Sequence, residues 1–527
     1  MPIPVTQPIP VTQPIPMTQP IPMTQPTPMK RGPWPDYQSV WRWHFYAGLF
    51  CIPFVWWLAL TGSAYLFKPQ VEAWLDRPYA HLTGAGARVA PDAEVRAALA
   101  AEPGTVLHAY QLPRAPGDAA QVLVGRGSGE TRVWIDPRNA RVLKAVPEDE
   151  RLMNVIFHLH GELLLGDRGS MIVELAGSWA MVMIITGLYL WWPRHAEGLG
   201  GVLYPRLSRS GRLFWRDIHA VAGIWVSVTA LLMLASGLPW AKSWGSYLKE
   251  VRHLSGRVAV HQDWPTGPSS ELAQRAALSA GSLAGLGVVH SGQVAGVDTP
   301  DKDMGDMGGM NMGRQPADHE LGGGRGRHGG GRQGARGALP PGAYLAIDRM
   351  VAVVSRLNLA YPVLITPPMK AGGPWGARSD AQDRPLRVNL TLDPKTGAVL
   401  TRAAFNQKDW VDRVVGFGIA AHEGQLFGWP NQLMNLLTAT GLFTASLSAV
   451  VLWWRRRPHG ALGAPIPTGS PRFSAGLSAI VLLLGVLLPL LGASLLAVFL
   501  LERLVLRRIP GLRTWLGLRG AAQVPAR

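Results

Sequence analysis

Long apolar stretches dominate this chain of 527 residues. A helix needs about 20 residues to cross the hydrocarbon layer of a bilayer, which is roughly 30 Å thick. Five stretches are long enough and poor enough in charge to do so, although Pro489 interrupts the fifth. The sequence therefore predicts a mainly α-helical membrane protein. We expect spans at 38–67, 170–193, 217–241, 431–455 and 474–502, an N-terminal arm at 1–37, large outer segments at 68–169 and 242–430, a basic link at 194–216 and a basic tail at 503–527.

The basic residues lie next to these spans. The formal net charge is +17, but a nucleic-acid-binding protein would carry its cations as a stripe on one soluble face. Here arginines precede the first span, fill the link and follow the fourth span. The positive-inside rule then predicts a multi-pass membrane protein, surrounded by lipid, with its N-terminus in the cytoplasm and its large segments outside, in the periplasm if the cell is Gram-negative. The side of the tail stays open, because alternation places it outside whereas its arginines favour the cytoplasm.

The N-terminal arm repeats a six-residue, proline-rich unit that favours an extended chain over a helix. We find no apolar segment followed by a cleavage site there, so we expect the first span to act as an uncleaved anchor. The single cysteine, Cys51, lies inside that span. Disulfides in the outer segments and covalent haem attachment through Cys-x-x-Cys-His are therefore excluded.

An internal duplication organises the rest of the chain. HGELLLG at 160–166 matches HEGQLFG at 422–428, and WRWHFYAGLF in the first span matches RDIHAVAGIW around the third. RVWIDPRNARVL at 132–143 and VNLTLDPKTGAVL at 388–400 both read as strand, Asp-Pro turn, strand. The predicted fold is a duplicated four-helix transmembrane bundle with two periplasmic α+β modules and a fifth, C-terminal helix. The two copies have the same orientation in the membrane and are related by rotation about an axis along the membrane normal.

Four histidines occupy matching places in this duplication. His44 and His219 lie near the cytoplasmic ends of their helices, and His160 and His422 lie just outside the second and fourth spans. Ionisable side chains at membrane depth usually face the bundle interior and mark function, and histidine is a common haem ligand. We therefore predict two non-covalent, bis-histidine b haems, one held by His44 and His219 and one by His160 and His422.

Neighbouring residues suit this interpretation. Gly48 and Gly223 follow His44 and His219 by one turn on the same helical face, and we expect Phe45 and Trp225 to line the slot for the macrocycle. A single histidine at a membrane edge is more often an interfacial, hydrogen-bonded residue than a ligand. The prediction therefore depends on the pairing of the four and not on any one of them.

Three acidic residues and one further histidine leave alternatives open. His158 competes with His160, although only His160 has a counterpart at 422. Glu162 and Glu423 follow the outer histidines and either orient an imidazole, carry protons or are simply solvated at the interface. Glu174 lies deeper in its span, and the repeat assigns it no partner.

The set of motifs WRWHFYAGLF…TG, FHLHGELLLG, RDIHAVAGIW…SG and HEGQLFGW, with the paired Asp-Pro hairpins, resembles the PepSY-associated transmembrane family over about residues 38–460. Its members include bacterial inner-membrane ferric-siderophore reductases. The resemblance implies PepSY-like outer modules and a reductase that passes electrons through two b haems to a ferric siderophore or another metal chelate in the periplasm. By position, it implies the same four ligands, His44, His160, His219 and His422.

An insertion at 301–337 departs from the family pattern. Its glycine content predicts a mobile outer loop, for which a flexible spacer is the simplest role. It also carries closely spaced thioethers, and soft sulfur ligands select Cu(I). A periplasmic cupric reductase is therefore an alternative function. The candidate copper ligands are Met304, Met307, Met310 and Met312, with His319 and His328 after them.

The source of electrons must be a separate molecule. The sequence shows neither a GxxxxGK[ST] phosphate loop nor a GxGxxG fingerprint after a strand, so we expect a quinol or a flavin reductase as donor. The two ligand pairs should stand on the order of 30 Å apart along the membrane normal, and we expect Trp56, Trp57 and Trp179 between them. The alternative from another class is a haem-free scaffold or transporter, but the core spans lack its broken helices and paired charges.

Overall fold

A computed structural model describes residues 37–83, 86–193, 198–255, 264–285, 346–370, 372–465, 479 and 483–518. Nearly all of the proline-rich arm lies outside the described residues. So does the whole insertion at 301–337, with Met304, Met307, Met310, Met312, His319 and His328.

Helices make up most of the described chain. In order they are α1 (Tyr37–Leu66), α2 (Lys68–Leu75), α3 (Pro91–Ala101), α4 (Leu152–Glu162), α5 (Gly166–Trp191), α6 (Gly211–Gly237), α7 (Lys242–Leu254), α8 (Pro268–Gly285), α9 (Ala346–Val354), α10 (Trp410–His422), α11 (Trp429–Arg456), α12 (Pro489–Leu501) and α13 (Pro510–Trp515). The strands are β1 (Val106–Gln111), β2 (Ala120–Arg126), β3 (Gly129–Ile135), β4 (Val142–Pro147), β5 (Val363–Thr366), β6 (Trp375–Ser379), β7 (Val388–Leu392) and β8 (Val399–Ala404).

Five helical segments are long and apolar enough to cross a membrane, as the sequence predicted. Four of them, α1, α5, α6 and α11, pack around a common interior: α1 contacts α5 and α11, and α6 contacts the same two helices. The third span begins at Gly211 rather than at 217, because the positive φ of Gly211 ends the preceding turn and lets the helix start there.

All eight strands belong to one antiparallel sheet, in the order β4-β3-β2-β1-β5-β6-β7-β8. The two outer modules are therefore not separate: β1 pairs with β5 through Tyr110 opposite Ile365 and Gln111 opposite Leu364. Each half is a helix followed by a four-stranded meander, and α3 and α9 contribute to one shared core. Both predicted Asp-Pro hairpins are present, with the Asp136 and Asp393 carboxylates accepting backbone hydrogen bonds inside the turns.

The chain bends sharply just before the second span, which begins at Gly166. Leu163 and Leu164 have φ of 53° and 56° and separate α4 from α5. Bulky residues rarely adopt this left-handed conformation, so packing must hold the bend. A Cβ on Gly169 would lie 1.6 Å from the Glu162 carbonyl oxygen, which shows how closely the helices meet. His160 therefore lies on its own helix, α4, and not on the end of the span.

Part of the predicted fifth span at 474–502 lies outside the described residues. The described span is Pro489–Leu506, which begins with a proline, a residue well suited to the first turn of a helix. It starts near α7, where Trp244 Nε1 donates to the Leu487 carbonyl at 2.8 Å. The tail then lies beside the start of α1, where the Tyr46 hydroxyl donates to the Leu516 carbonyl at 2.6 Å. The basic tail thus shares one end of the bundle with the basic link.

Glu174, which the repeat left without a role, caps a helix. Its carboxylate accepts hydrogen bonds from the backbone N–H groups of Ser243 and Trp244, at 3.0 and 3.1 Å. Ser170 accepts a third from Lys242. These are first-turn N–H groups of α7 that have no partner within the helix, and a carboxylate suits the positive end of the helix dipole. Glu174 therefore ties α5 to α7.

Candidate haem sites

The structure brings His44 and His219 together at the end of the bundle that carries the basic link. The imidazole centroids are 6.2 Å apart, and the rings are nearly perpendicular at 74°. Both line a cavity of about 1550 Å³ between α1, α5, α6 and α11. Phe45, Gly48 and Gly223 also line it, as expected. Trp225 does not: it is 68% exposed, and its Nε1 donates to the Leu203 carbonyl.

His160 and His422 form an equivalent pair at the other end of the bundle. Their centroids are also 6.2 Å apart, at an interplanar angle of 67°. His160 lies two residues before the end of α4, and His422 is the last residue of α10. Both line a narrower cavity of about 260 Å³. The sheet lies beyond this end, because α4 follows β4 and α10 follows β8.

The spacing within each pair fits a single metal ion between two imidazoles. Two metal–nitrogen bonds of about 2 Å, with about 1.1 Å from each coordinating nitrogen to its ring centre, place opposed imidazole centroids roughly 6.2 Å apart. A flat macrocycle around that metal needs an apolar slot, which both cavities offer among their aliphatic and aromatic walls. The residues present therefore fit haem b at both ends.

Backbone carbonyl groups determine the tautomer of His44 and His219, which are called the inner pair below. Nδ1 of His44 lies 3.0 Å from the Met183 carbonyl oxygen, and Nδ1 of His219 lies 2.8 Å from that of Ala445. A carbonyl oxygen only accepts hydrogen bonds, so Nδ1 of each ring must carry the proton. Nε2 then presents its lone pair, which is the form a metal binds.

The outer pair is arranged in the same way. His422 Nδ1 donates to the Met233 carbonyl at 2.9 Å. His160 Nδ1 lies 3.0 Å from Thr61 Oγ1, whose own proton goes to the Trp57 carbonyl at 2.8 Å. The hydroxyl therefore accepts from His160. Burial is the main cause that lowers the pKa of His160, to about 3, and burial also lowers the pKa of His422, so both imidazoles are neutral.

Glycines lie directly against the histidine rings, and the sequence alone had suggested no role for them. A Cβ on Gly62 would lie 3.0 Å from Cε1 of His160, one on Gly187 would lie 3.0 Å from Cε1 of His44, and one on Gly237 would lie 3.3 Å from Cε1 of His422. Gly62 and Gly237 belong to the repeated Thr-Gly and Ser-Gly motifs. The repeat could therefore have identified Gly62 and Gly237, and the hydroxyl residues that precede them, as parts of the site.

His158 lies beside the outer cavity but is directed elsewhere. It forms an ion pair with Glu162 one turn away and lies 3.9 Å from Asp149. The interaction of the His158 imidazole with the accepting Glu162 carboxylate raises the pKa of His158, although burial opposes it. Glu423 lines the same cavity, and burial raises the pKa of its carboxyl despite nearby Arg384. The structure thus sets His160, and not His158, opposite His422.

A single layer of side chains separates the two cavities. Both are lined by Val55, Met183, Ile184 and Leu442. The predicted tryptophans are not in this layer: Trp179 donates to Ser494 of α12, Trp57 donates to the Leu159 carbonyl, and Trp56 stacks on Phe443 outside the cavity linings. Indole rings have an N–H group that must find a partner, which draws them away from the apolar centre.

Comparison with known proteins agrees with this arrangement at the level of the family. No curated protein matches the chain, but the family model described as the PepSY-associated TM region matches residues 41–456. The match spans all four helices of the bundle and both halves of the sheet. It confirms the resemblance found in the motifs, and the chain belongs to the PepSY-associated transmembrane family.

Proposed function

We propose that this protein is an inner-membrane, di-haem b electron-transfer protein that reduces a ferric siderophore or a related ferric chelate in the periplasm. His44 and His219 would hold the haem at the cytoplasmic end, and His160 and His422 the haem at the periplasmic end. Electrons would come from a separate donor, a quinol or a flavin reductase.

One observation carries this proposal. Two histidine pairs, each with centroids 6.2 Å apart, lie at opposite ends of one bundle, with backbone or hydroxyl oxygens engaging Nδ1 in every ring. A chance cluster of interfacial histidines would not repeat both the spacing and the tautomer. Haem b, when bound, supplies one-electron redox chemistry.

The protein's own residues determine the route that electrons would take between the two histidine pairs. Thr61, which contacts the outer ligand His160, follows His44 on α1 by about five turns, or about 25 Å along the helix. Between the two histidine pairs, both cavities are lined by Val55, Met183, Ile184 and Leu442. These aliphatic side chains exclude water from the centre of the bundle. The haem at the sheet end would face the substrate.

The orientation is supported by charge. Arg42, the tail residues near Leu516 and the link around Arg206 and Arg216 all lie at the end that carries His44 and His219. The positive-inside rule assigns this end to the cytoplasm and the sheet to the periplasm.

The first test is the cofactor content of the purified full-length protein. We expect two haems per chain, with the reduced α band of bis-histidine b haem, and we expect His44→Ala and His422→Ala each to lose about half of the haem. His253→Ala, on an exposed residue of α7 remote from both cavities, serves as the control and should keep both haems. A colourless wild-type preparation would instead support the haem-free scaffold.

The second test is electron transfer to substrate. Protein reduced with dithionite, freed of excess reductant under nitrogen and mixed with a ferric hydroxamate or catecholate chelate should reoxidise while Fe(II) appears in a chelator trap. Cu(II) added in place of the ferric chelate tests the copper alternative. Haem that stays reduced in the presence of every ferric chelate would exclude the reductase activity while leaving the haem assignment intact.

A further inference from the structure

The cavity around His44 and His219 is apolar in its depth and strongly basic at its mouth. Four arginines line it: Arg206, Arg212, Arg216 and Arg456. Two of them share one buried carboxylate, since Asp217 is fully buried and pairs with Arg206 at 2.7 Å and Arg216 at 2.6 Å.

The other two arginines have a different environment. In the part of the chain that the structure describes, neither Arg212 nor Arg456 forms an ion pair with a carboxylate. Arg456 stacks on Trp41 and Phe45, with its guanidinium 4.8 and 5.8 Å from the ring centroids, and donates one hydrogen bond to the Gly463 carbonyl. Arg212 is near enough for the two positive charges to act on one another. Both positive charges line the mouth of one cavity, and within the described residues no carboxylate pairs with either of them.

Both arginines are placed to reach the edge of a ring bound between the histidines. Arg212 precedes His219 by two turns on the same face of α6, a distance of about 10 Å along the helix. Phe45, on which Arg456 stacks, is the residue next to His44. The arginines therefore lie between the histidine pair and the aqueous end of the bundle.

We propose that Arg212 and Arg456 bind the two propionate carboxylates of the haem held by His44 and His219, an inference that rests on the proposed function. The propionate edge of the macrocycle would then point toward the basic end of the bundle. Haem b carries two carboxylates on one edge, and these cannot be left in the apolar depth of the cavity. Guanidinium groups bind carboxylates through a planar fork of N–H donors. Two arginines without a carboxylate partner match two carboxylates.

The test uses Arg456→Gln, Arg212→Gln and the double variant, in full-length protein purified in a neutral detergent. A positive charge beside a haem favours the reduced state, which holds one more electron. We expect each single variant to lower the midpoint potential of one haem and leave the other unchanged, and the double variant to lose up to half of the total haem. Arg457→Gln is the matched control, because Arg457 does not line the cavity and stacks on Trp454, which lies outside the cavity lining.

Three outcomes would overturn the assignment. Unchanged potentials and haem content in the double variant would mean that the arginines do not contact the haem. An equal shift of both potentials would indicate a long-range charge effect. A shift seen in nanodiscs with anionic lipid but not in neutral detergent would assign the arginines to lipid headgroups. A wild-type protein without haem would instead refute the proposed function, so the two failures are distinguishable.

Discussion

The hydroxyl of Thr61 lies 3.0 Å from Nδ1 of His160 and gives its own proton to the Trp57 carbonyl. Thr61 is therefore an acceptor toward the histidine, and it holds the ring in the tautomer that presents Nε2. Thr186 occupies a similar place at the other end of the bundle, where its hydroxyl lies 3.2 Å from Nδ1 of His44 and donates to the Val182 carbonyl. One threonine thus orients one ligand at each end.

Replacing Thr61 with valine keeps the shape of the side chain and removes the acceptor. Loss of such an orienting hydrogen bond typically weakens the bound group by about 10-fold or more. We expect Thr61→Val to release the haem at the sheet end more readily, measured as haem transfer to apomyoglobin, and to leave the other haem in place.

Thr186→Val is the matched comparison and should affect only the haem of His44. If both variants released both haems equally, general destabilisation would explain the result and the orienting role would be wrong.

The glycines against the rings lead to a second prediction. In Gly62→Ala the new methyl group would lie 3.0 Å from Cε1 of His160, and in Gly187→Ala it would lie 3.0 Å from Cε1 of His44. The imidazole must then shift by a few tenths of an ångström, which misaligns a ligand far more than it disturbs a helix. We expect each variant to change the spectrum and reduce the content of one haem only, and each serves as the control for the other.

The pairing of the histidines was predictable, whereas the hydrogen bonds that orient their rings were not. The repeat placed His44 opposite His219 and His160 opposite His422, because matched positions face one another in a bundle with internal symmetry. His160 lies on α4, which is separated from α5 by a bend at Leu163 and Leu164, and local propensity argues against the left-handed conformation of these two leucines. The close contact of Gly169 with the Glu162 carbonyl at this bend is tertiary packing, which the sequence pattern does not reveal.

The single sheet was missed for a related reason. Alternation of apolar and polar residues identifies a strand and its buried face, but it does not identify which strand lies at its edge. The pairing of β1 with β5 joins segments far apart in the chain. The end of the bundle that holds the tail was undecided because the charge rule and simple alternation disagreed, and the Tyr46–Leu516 contact agrees with the charge rule.

A buried ion pair supports the helix that carries His422. Arg252 of α7 and Asp412 of α10 are both 8% exposed and form two hydrogen bonds, at 2.9 and 3.2 Å. Removing one partner of a buried pair leaves an uncompensated charge and costs about 3–5 kcal/mol. We expect Asp412→Asn to lower the thermal unfolding temperature markedly and to lose the haem at the sheet end first.

The double variant Arg252→Met, Asp412→Leu separates charge from packing, because an apolar pair of similar volume is often neutral in place of a buried ion pair. It should recover most of the stability that Asp412→Asn loses. Glu250, an exposed residue of the same helix α7, provides the contrast, since Glu250→Gln should cost about 0–1 kcal/mol. Equal losses from Asp412→Asn and Glu250→Gln would contradict the structural role of the buried pair.

The stability of the sheet should depend on pH through Glu148. Burial alone would raise the pKa of its carboxyl, but Arg132 and Arg151 hold it at about 2, below the ordinary 4.5. A lowered pKa contributes stability that is present above the unfolded value and lost as the pH falls through the folded one. Thermal unfolding of the sheet, followed by circular dichroism, should therefore occur at lower temperature as the pH drops from 4.5 toward 2. Glu148→Gln should unfold at a lower temperature than wild type at neutral pH, and its unfolding temperature should fall less on acidification. Glu150→Gln, at an exposed site in the same turn, is the control and should behave as wild type. If the unfolding temperatures of Glu148→Gln and wild type fell in parallel with pH, this role of Glu148 would be contradicted.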